Sequence, residues 1–116
     1  MATHIFKVLT GAELKVARAT GRFEGSADDR RDGFIHLSAA DQLEGTLAKH
    51  FAARPDLVLL TVDVGMLGAA LRWEPSRGGA LFPHLYAPLP MTAVRAVAPL
   101  TLDDAGRHRL PEGTLA

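Results

Sequence analysis

The sequence predicts a single α+β domain, with two helices placed early and a second half built mostly of strands. Three observations carry this reading. The 116 residues, 47% of them apolar, suffice for one hydrophobic core. Thr10-Gly11-Ala12-Glu13 and Ser38-Ala39-Ala40-Asp41 both have the form of a capping box at the head of a helix. Leu57 to Asp63 (LVLLTVD) is a nearly unbroken apolar run of strand length, which predicts a central strand covered on both faces.

Taken in order, Ile5 to Leu9 reads as a strand with Ile5, Lys7 and Leu9 on one side. The first helix follows Thr10 and stops at Thr20-Gly21, where glycine suits the left-handed position after a helix. Arg22 to Asp32 is polar and contains glycine, so it reads as an exposed, self-neutralising loop. GFIHLS, residues 33–38, is the second strand. The helix after it carries Leu43, Leu47 and Phe51 as an apolar stripe and ends by Arg54-Pro55-Asp56. Val64 to Leu71 reads as a short helix and Arg72 to Glu74 as a strand cut off by Pro75. Ser76 to Gly79 is a loop holding one cation, Arg77. Leu81 to Tyr86 is extended, with Pro83 marking an edge, a bulge or a kink. Ala93 to Leu100 is the last strand. The domain is expected over residues 1–102, with 103–116 as a polar, loosely ordered tail.

Charge balances, with 13 basic and 13 acidic side chains, so nothing argues for DNA or an anionic membrane surface as a partner. Cysteine is absent, which excludes disulfides, thiolate chemistry and cysteine-ligated zinc. No two of the five histidines make an HxxxH or HxH pair, so no metal is expected. The first residues lack the pattern of a signal peptide, and no apolar run reaches the about 20 residues that span a bilayer. A cytoplasmic protein is expected. Neither a GxGxxG nor a P-loop pattern occurs, and the oligomeric state is not written in the sequence.

Two stretches put polar groups where an apolar strand has no evident use for them. In GFIHLS, Phe34, His36 and Ser38 share one face. His36 either orients or protonates a ligand, or is a half-buried histidine satisfied by backbone. Ser38 is read as a helix cap rather than a nucleophile. LFPHLY repeats the pattern with His84 and Tyr86, which form either a second wall with a stacking ring or the wet tips of an edge strand. Trp73-Glu74 is a third candidate, because an indole beside a carboxylate can desolvate it and raise its pKa for acid–base work. Arg77 is a candidate for phosphate, against the ordinary fate of a loop arginine in water.

The order Ile5-Phe6-Lys7-Val8, Asp32 to Ser38, Leu57 to Asp63, Leu71-Arg72-Trp73-Glu74-Pro75 and Leu81 to Tyr86 resembles a bacterial and plant family of unknown function, DUF nine-five-two, from Thr3 to about Leu100. That family is grouped with the ADP-ribosyltransferase-like superfamily. The resemblance therefore implies a split β core around a cleft that binds NAD. GFIHLS followed by the Leu57–Leu60 strand is similar to a unit of the RNA 2′-phosphotransferases. Carried over by position, His36 and Ser38 would face the cleft. The early strand departs from those enzymes, carrying Thr3-His4-Ile5-Phe6-Lys7 in place of an Arg-His pair.

The resemblance and the residues together suggest an enzyme acting on NAD, ADP-ribose or a related phosphorylated nucleoside. Glu74 and His36 would be catalytic, with Ser38, Trp73, Arg77, His84 and Tyr86 binding the ligand. A non-catalytic module that senses a nucleotide or small metabolite is the alternative. A partner-binding scaffold explains the clustered His, Tyr, Trp and Glu less well.

Overall fold

The computed structural model of the chain describes residues 3–111 and 114. Residues 1–2, at the head of the expected domain, and 112–113 and 115–116, in the expected tail, lie outside the described residues. β1 (His4–Thr10) leads directly into α1 (Gly11–Thr20). The capping box forms as expected. The Glu13 amide donates to the Thr10 hydroxyl at 3.0 Å, and the Thr10 amide donates to the Glu13 carboxylate at 2.9 Å. Gly21 closes the helix at φ 84°, a left-handed conformation that a Cβ disfavours.

The polar stretch after it is not an exposed loop. It holds β2 (Arg22–Phe23) and α2 (Ala27–Asp32). Ser26 and Asp29 form a second reciprocal box, with Asp29 N–H donating to Ser26 Oγ at 3.3 Å and Ser26 N–H to Asp29 Oδ2 at 3.0 Å. β3 (Ile35–His36) is short, and two backbone hydrogen bonds then tie Ser38 to Phe6 at 2.8 and 2.9 Å. Ser38 does not cap the next helix. Ala39 takes that place, and its amide donates to the Gln42 side chain at 3.0 Å. A 3-10 turn then opens into α3 (Leu43–His50), whose Leu43 and Leu47 are buried.

β4 (Leu57–Asp63) begins the β-rich half. The helix expected over Val64 to Leu71 is instead two 3-10 turns, Val64–Met66 and Gly68–Ala70. β5 (Leu71–Pro75), β6 (Leu81–Leu85), β7 (Leu89–Pro90) and β8 (Val94–Pro99) follow. β9 (Thr101–Leu102), at the end of the expected domain, pairs as a hairpin with β10 (His108–Arg109), which lies in the segment expected as a tail. That hairpin is held down: Ala53 N–H donates to the Gly106 carbonyl at 3.0 Å, and His108 Nε2 lies 2.7 Å from the Phe51 carbonyl.

The strands form two antiparallel three-stranded sheets, β1-β4-β8 and β3-β6-β5, with β2-β7 as a separate pair. The Phe6–Ser38 bridge joins the two sheets. The first sheet is covered on both faces. Ile5, Leu9, Leu60 and Val62 pack toward α1 and the second sheet, while Phe6, Val8, Leu57 and Leu59 pack toward α3. This double cover accounts for the unbroken apolar run of β4. Pro83 lies in the middle strand of the second sheet rather than at an edge, and is fully buried. Its carbonyl accepts from Leu37 N–H at 3.1 Å. In a strand, a residue's nitrogen and carbonyl point the same way, so the missing donor faces the side where β3 has already ended.

Leu60 is central and fully buried, so Leu60→Ala is expected to lower unfolding free energy in urea by about 2–5 kcal/mol. Val16→Ala, at a mostly exposed position of α1, is expected to change it by no more than about 0.5 kcal/mol. Equal effects of the two would contradict this account of the core.

Candidate functional site

Alternation along the second sheet sorts its side chains. Pro83 and Leu85 of β6 turn to the core, and Phe82 and His84 turn the other way. His84 pairs with His36 across one edge and with Arg72 across the other, while Phe82 pairs with Glu74. The polar face therefore collects His36, His84, Arg72 and Glu74. Phe34 lies against it, its ring stacked 4.0 Å from His84 and 4.6 Å from His36.

A cavity of about 370 Å³ opens beside this face, within the size range of small-molecule sites. β1 contributes Phe6, Lys7 and Val8; the β3 segment contributes His36, Leu37 and Ser38; β6 contributes Phe82 and His84. Thr46, Lys49 and His50 line it from α3 and Phe51 from just after that helix, Asp28, Asp29, Arg31 and Asp32 from α2, and Arg77 from the loop after β5.

Asp29 is the most enclosed charge, with 2% of its side chain exposed. Its two oxygens meet Lys7 Nζ at 2.9 and 3.2 Å, His36 Nδ1 at 2.6 Å, and the amides of His36 and Ser26 at 3.0 Å each. Burial alone would push this carboxyl up. The His36 ring, the Lys7 ammonium and the two amides outweigh it and hold Asp29 well below the usual carboxylate range. Lys7 also donates to the His36 carbonyl at 2.9 Å. The other His36 nitrogen, Nε2, lies 2.9 Å from Asp32, so both ring nitrogens face carboxylates.

His84 is held differently. Its Nδ1 is 2.9 Å from Glu74 Oε1, and the same oxygen accepts the Tyr86 hydroxyl at 2.6 Å. Among the described residues Nε2 of His84 has no hydrogen-bond partner. The Tyr86 hydroxyl, and after it the His84 ring, hold Glu74 below the usual carboxylate range, and the same contact raises the Tyr86 phenol. This reverses the direction expected from Trp73-Glu74. The indole does not dry the carboxylate, because adjacent strand residues point to opposite faces, and Trp73 is 39% exposed.

The structure thus brings His36, Ser38, Arg77 and His84 to one cavity. Glu74 and Tyr86 stand behind His84 rather than in the lining, and Trp73 lies on the far face. The Tyr86 ring packs between Phe34 at 5.3 Å and the Arg72 guanidinium at 5.3 Å. Ser38 and Thr46 share a hydrogen bond of 2.8 Å, and Thr46 donates to the Gln42 carbonyl, so the Ser38 proton goes to Thr46. Sequence reading missed Lys7, Asp29, Thr46, Lys49 and His50. Two signals pointed to the buried pair: a lysine on the apolar side of β1, and the Ser-Ala-Asp-Asp capping pattern of α2. Among the described residues no group of three or more His, Cys, Asp and Glu is placed to hold a metal ion, and no helix is long and apolar enough to cross a membrane.

A family model described as "Protein of unknown function (DUF952)" matches residues 8–97, a span that includes both histidine-bearing stretches. Among solved structures, the crystal structure of protein CC0527 from Caulobacter crescentus is 54% identical, covers 93% of this chain and 95% of that one, and superposes with a TM-score of 0.90. A double mutant of CC0527 is 53% identical over the same shares, also at 0.90. Its solution NMR structure is 53% identical over 94% of each chain, at 0.84. No curated protein matches the chain.

Asp29→Asn is expected to cost about 3–5 kcal/mol at neutral pH, because Lys7 is left buried without its counter-charge. The depressed carboxyl also fixes a pH dependence. Its stabilisation is complete above about pH 4, the unfolded value, and is lost as pH falls further toward the folded value. Urea midpoints between pH 6 and pH 2 should fall more steeply for the native chain than for Asp29→Asn. Tyr86 is the only tyrosine, so ultraviolet titration reports on it alone. Its midpoint should lie above the ordinary tyrosine value of about 10 and drop toward it in Glu74→Ala. An unchanged midpoint would mean the Tyr86–Glu74 contact is absent in solution.

Proposed function

The chain belongs to the protein family of unknown function DUF952, and from its site we propose that it is an enzyme acting on a phosphorylated nucleoside of the NAD or ADP-ribose class. The observation that carries the reading is that two cross-strand imidazoles, His36 and His84, line one cavity, each with a carboxylate at Nδ1. A carboxylate at one ring nitrogen fixes the tautomer and aims the other, the arrangement of a general base. His84 takes a proton from a ribose hydroxyl or a water, Glu74 orients it, and Tyr86 holds Glu74. His36 orients the ribose. Phe82 and Phe51 offer apolar surface to a base or nicotinamide ring. Two separate sheets, bridged in their backbone at Phe6–Ser38 and with the cavity beside that bridge, support the split β core that the ADP-ribosyltransferase-like resemblance implies.

One observation favours a second reading, a binding module without turnover. Both nitrogens of His36 are occupied by carboxylates, which suits holding a ligand better than moving protons. The two readings part on His84. Amide NMR titration with NAD, ADP-ribose and a 2′-phosphorylated nucleotide should give saturable shifts over residues 33–38 and 81–86. Phosphorus NMR then follows product. For the enzyme, His84→Ala should retain binding and lose about 100-fold or more in turnover, with Glu74→Gln losing turnover in the same sense. Saturable binding with no product selects the module. A flat response to all three compounds at millimolar concentration rejects both.

A further inference from the structure

Charges around the cavity do not cancel locally. Lys7 is spent on Asp29, and Arg31 lies 3.2 Å from Asp28 and 3.1 Å from Asp32. Each acidic group in the lining therefore has a basic partner. Lys49 and Arg77 make no salt bridge among the described residues, yet both line the cavity. Arg77 is not simply loose in water. Its guanidinium lies over the Phe82 ring, 4.9 Å from the centroid, and Nη2 is 3.0 Å from where a Cβ on Gly45 would be. Gly45 and Lys49 are four residues apart on α3, hence on one helix face. His50 follows Lys49 in the lining. Partial burial, and after it Arg77 and Lys49, lower its pKa, with Asp28 acting the other way and His36 adding slightly to the lowering. Cationic groups from two separate elements thus face one space with no carboxylate assigned to them.

We propose that Arg77 and Lys49, with His50 beside them, form a phosphate subsite at the α3 end of the cavity, and that Gly45 is small so that the Arg77 guanidinium can lie across the helix. The planar fork of Arg77 offers two parallel donors to a phosphate, and Lys49 adds a point charge. Phe82 supports the fork without neutralising it. Phosphate binding needs only this geometry, whereas the subsite's use in seating a nucleotide rests on the reading above.

The test uses the full chain with inorganic phosphate and, separately, ADP-ribose, at fixed ionic strength. Phosphate should produce saturable NMR shifts at Gly45, Lys49, His50 and the Arg77 side chain, and should raise the titration midpoint of the His50 ring, since a bound anion favours its charged form. Arg77→Gln and Lys49→Gln should each weaken phosphate binding about tenfold. Gly45→Ala should weaken it several-fold while melting no lower than the native chain, because the added methyl meets only the far end of Arg77. Phosphate shifts elsewhere, or an affinity unchanged in Arg77→Gln, would overturn the subsite. ADP-ribose shifts at residues 33–38 and 81–86 with none at Gly45 or Arg77 would overturn it too and leave the nucleotide reading standing. Phosphate bound at Arg77, with ADP-ribose adding nothing at His36 or His84, would keep the subsite and reject that reading.

Discussion

Asp29 takes a full negative charge into the protein interior, where an isolated carboxylate costs several kcal/mol or more. Donors from three elements offset that cost: Lys7 on β1, His36 on β3 and the Ser26 amide at the head of α2. None of the three satisfies the carboxylate alone, so the elements can pack only together. The same three elements form part of the cavity wall. One buried charge thereby sets both the fit of α2 against the sheets and the placement of His36. An apolar side chain of similar size would bury at less cost but would fix neither the angle of the imidazole nor the approach of α2. Partly satisfied, such a cluster is worse than none, which makes it cooperative.

What could be read in advance follows how locally each feature is determined. β1, α1 and β4 were legible because their causes lie within a few residues: alternation, a reciprocal cap, a terminal glycine, a run of apolar side chains. α2 was not. Its residues are almost all charged, and the burial of Asp29 depends on Lys7, 22 positions earlier. The local hint, Ser26 three residues ahead of Asp29, has the same form as the Ser38–Asp41 pattern, which predicts a cap. There the structure chose Ala39 and Gln42 instead, leaving the Ser38 hydroxyl to Thr46. A capping pattern is thus a competition between neighbouring frames, decided by tertiary contacts such as the Phe6–Ser38 bridge.

The candidate site was half visible for a similar reason. A period of two shows that His36 and Ser38 share a face of their strand, and that His84 and Tyr86 share a face of theirs. It does not give the register that sets His36 opposite His84, nor the neighbouring strand that brings Glu74 to His84. It does forbid Trp73 and Glu74 from acting on one face, a constraint that the adjacency of the two residues in sequence conceals.

Strand geometry also limits what can occupy the cavity. Arg77 packs on Phe82, and His84 lies two residues along the same strand face, a repeat of roughly 7 Å. At that spacing a lone phosphate held by Arg77 would fall short of the imidazole. A group carrying an anion at one end and a hydroxyl a few bonds away reaches both, as a phosphorylated sugar does. His36 is gripped by carboxylates at both nitrogens, whereas His84 meets one at Nδ1 only, so in the proposed reading His36 would orient such a ligand and His84 would react with it. Two histidines that look alike in sequence therefore differ in how many carboxylates the fold gives each of them, and the proposed division of their roles rests on that difference.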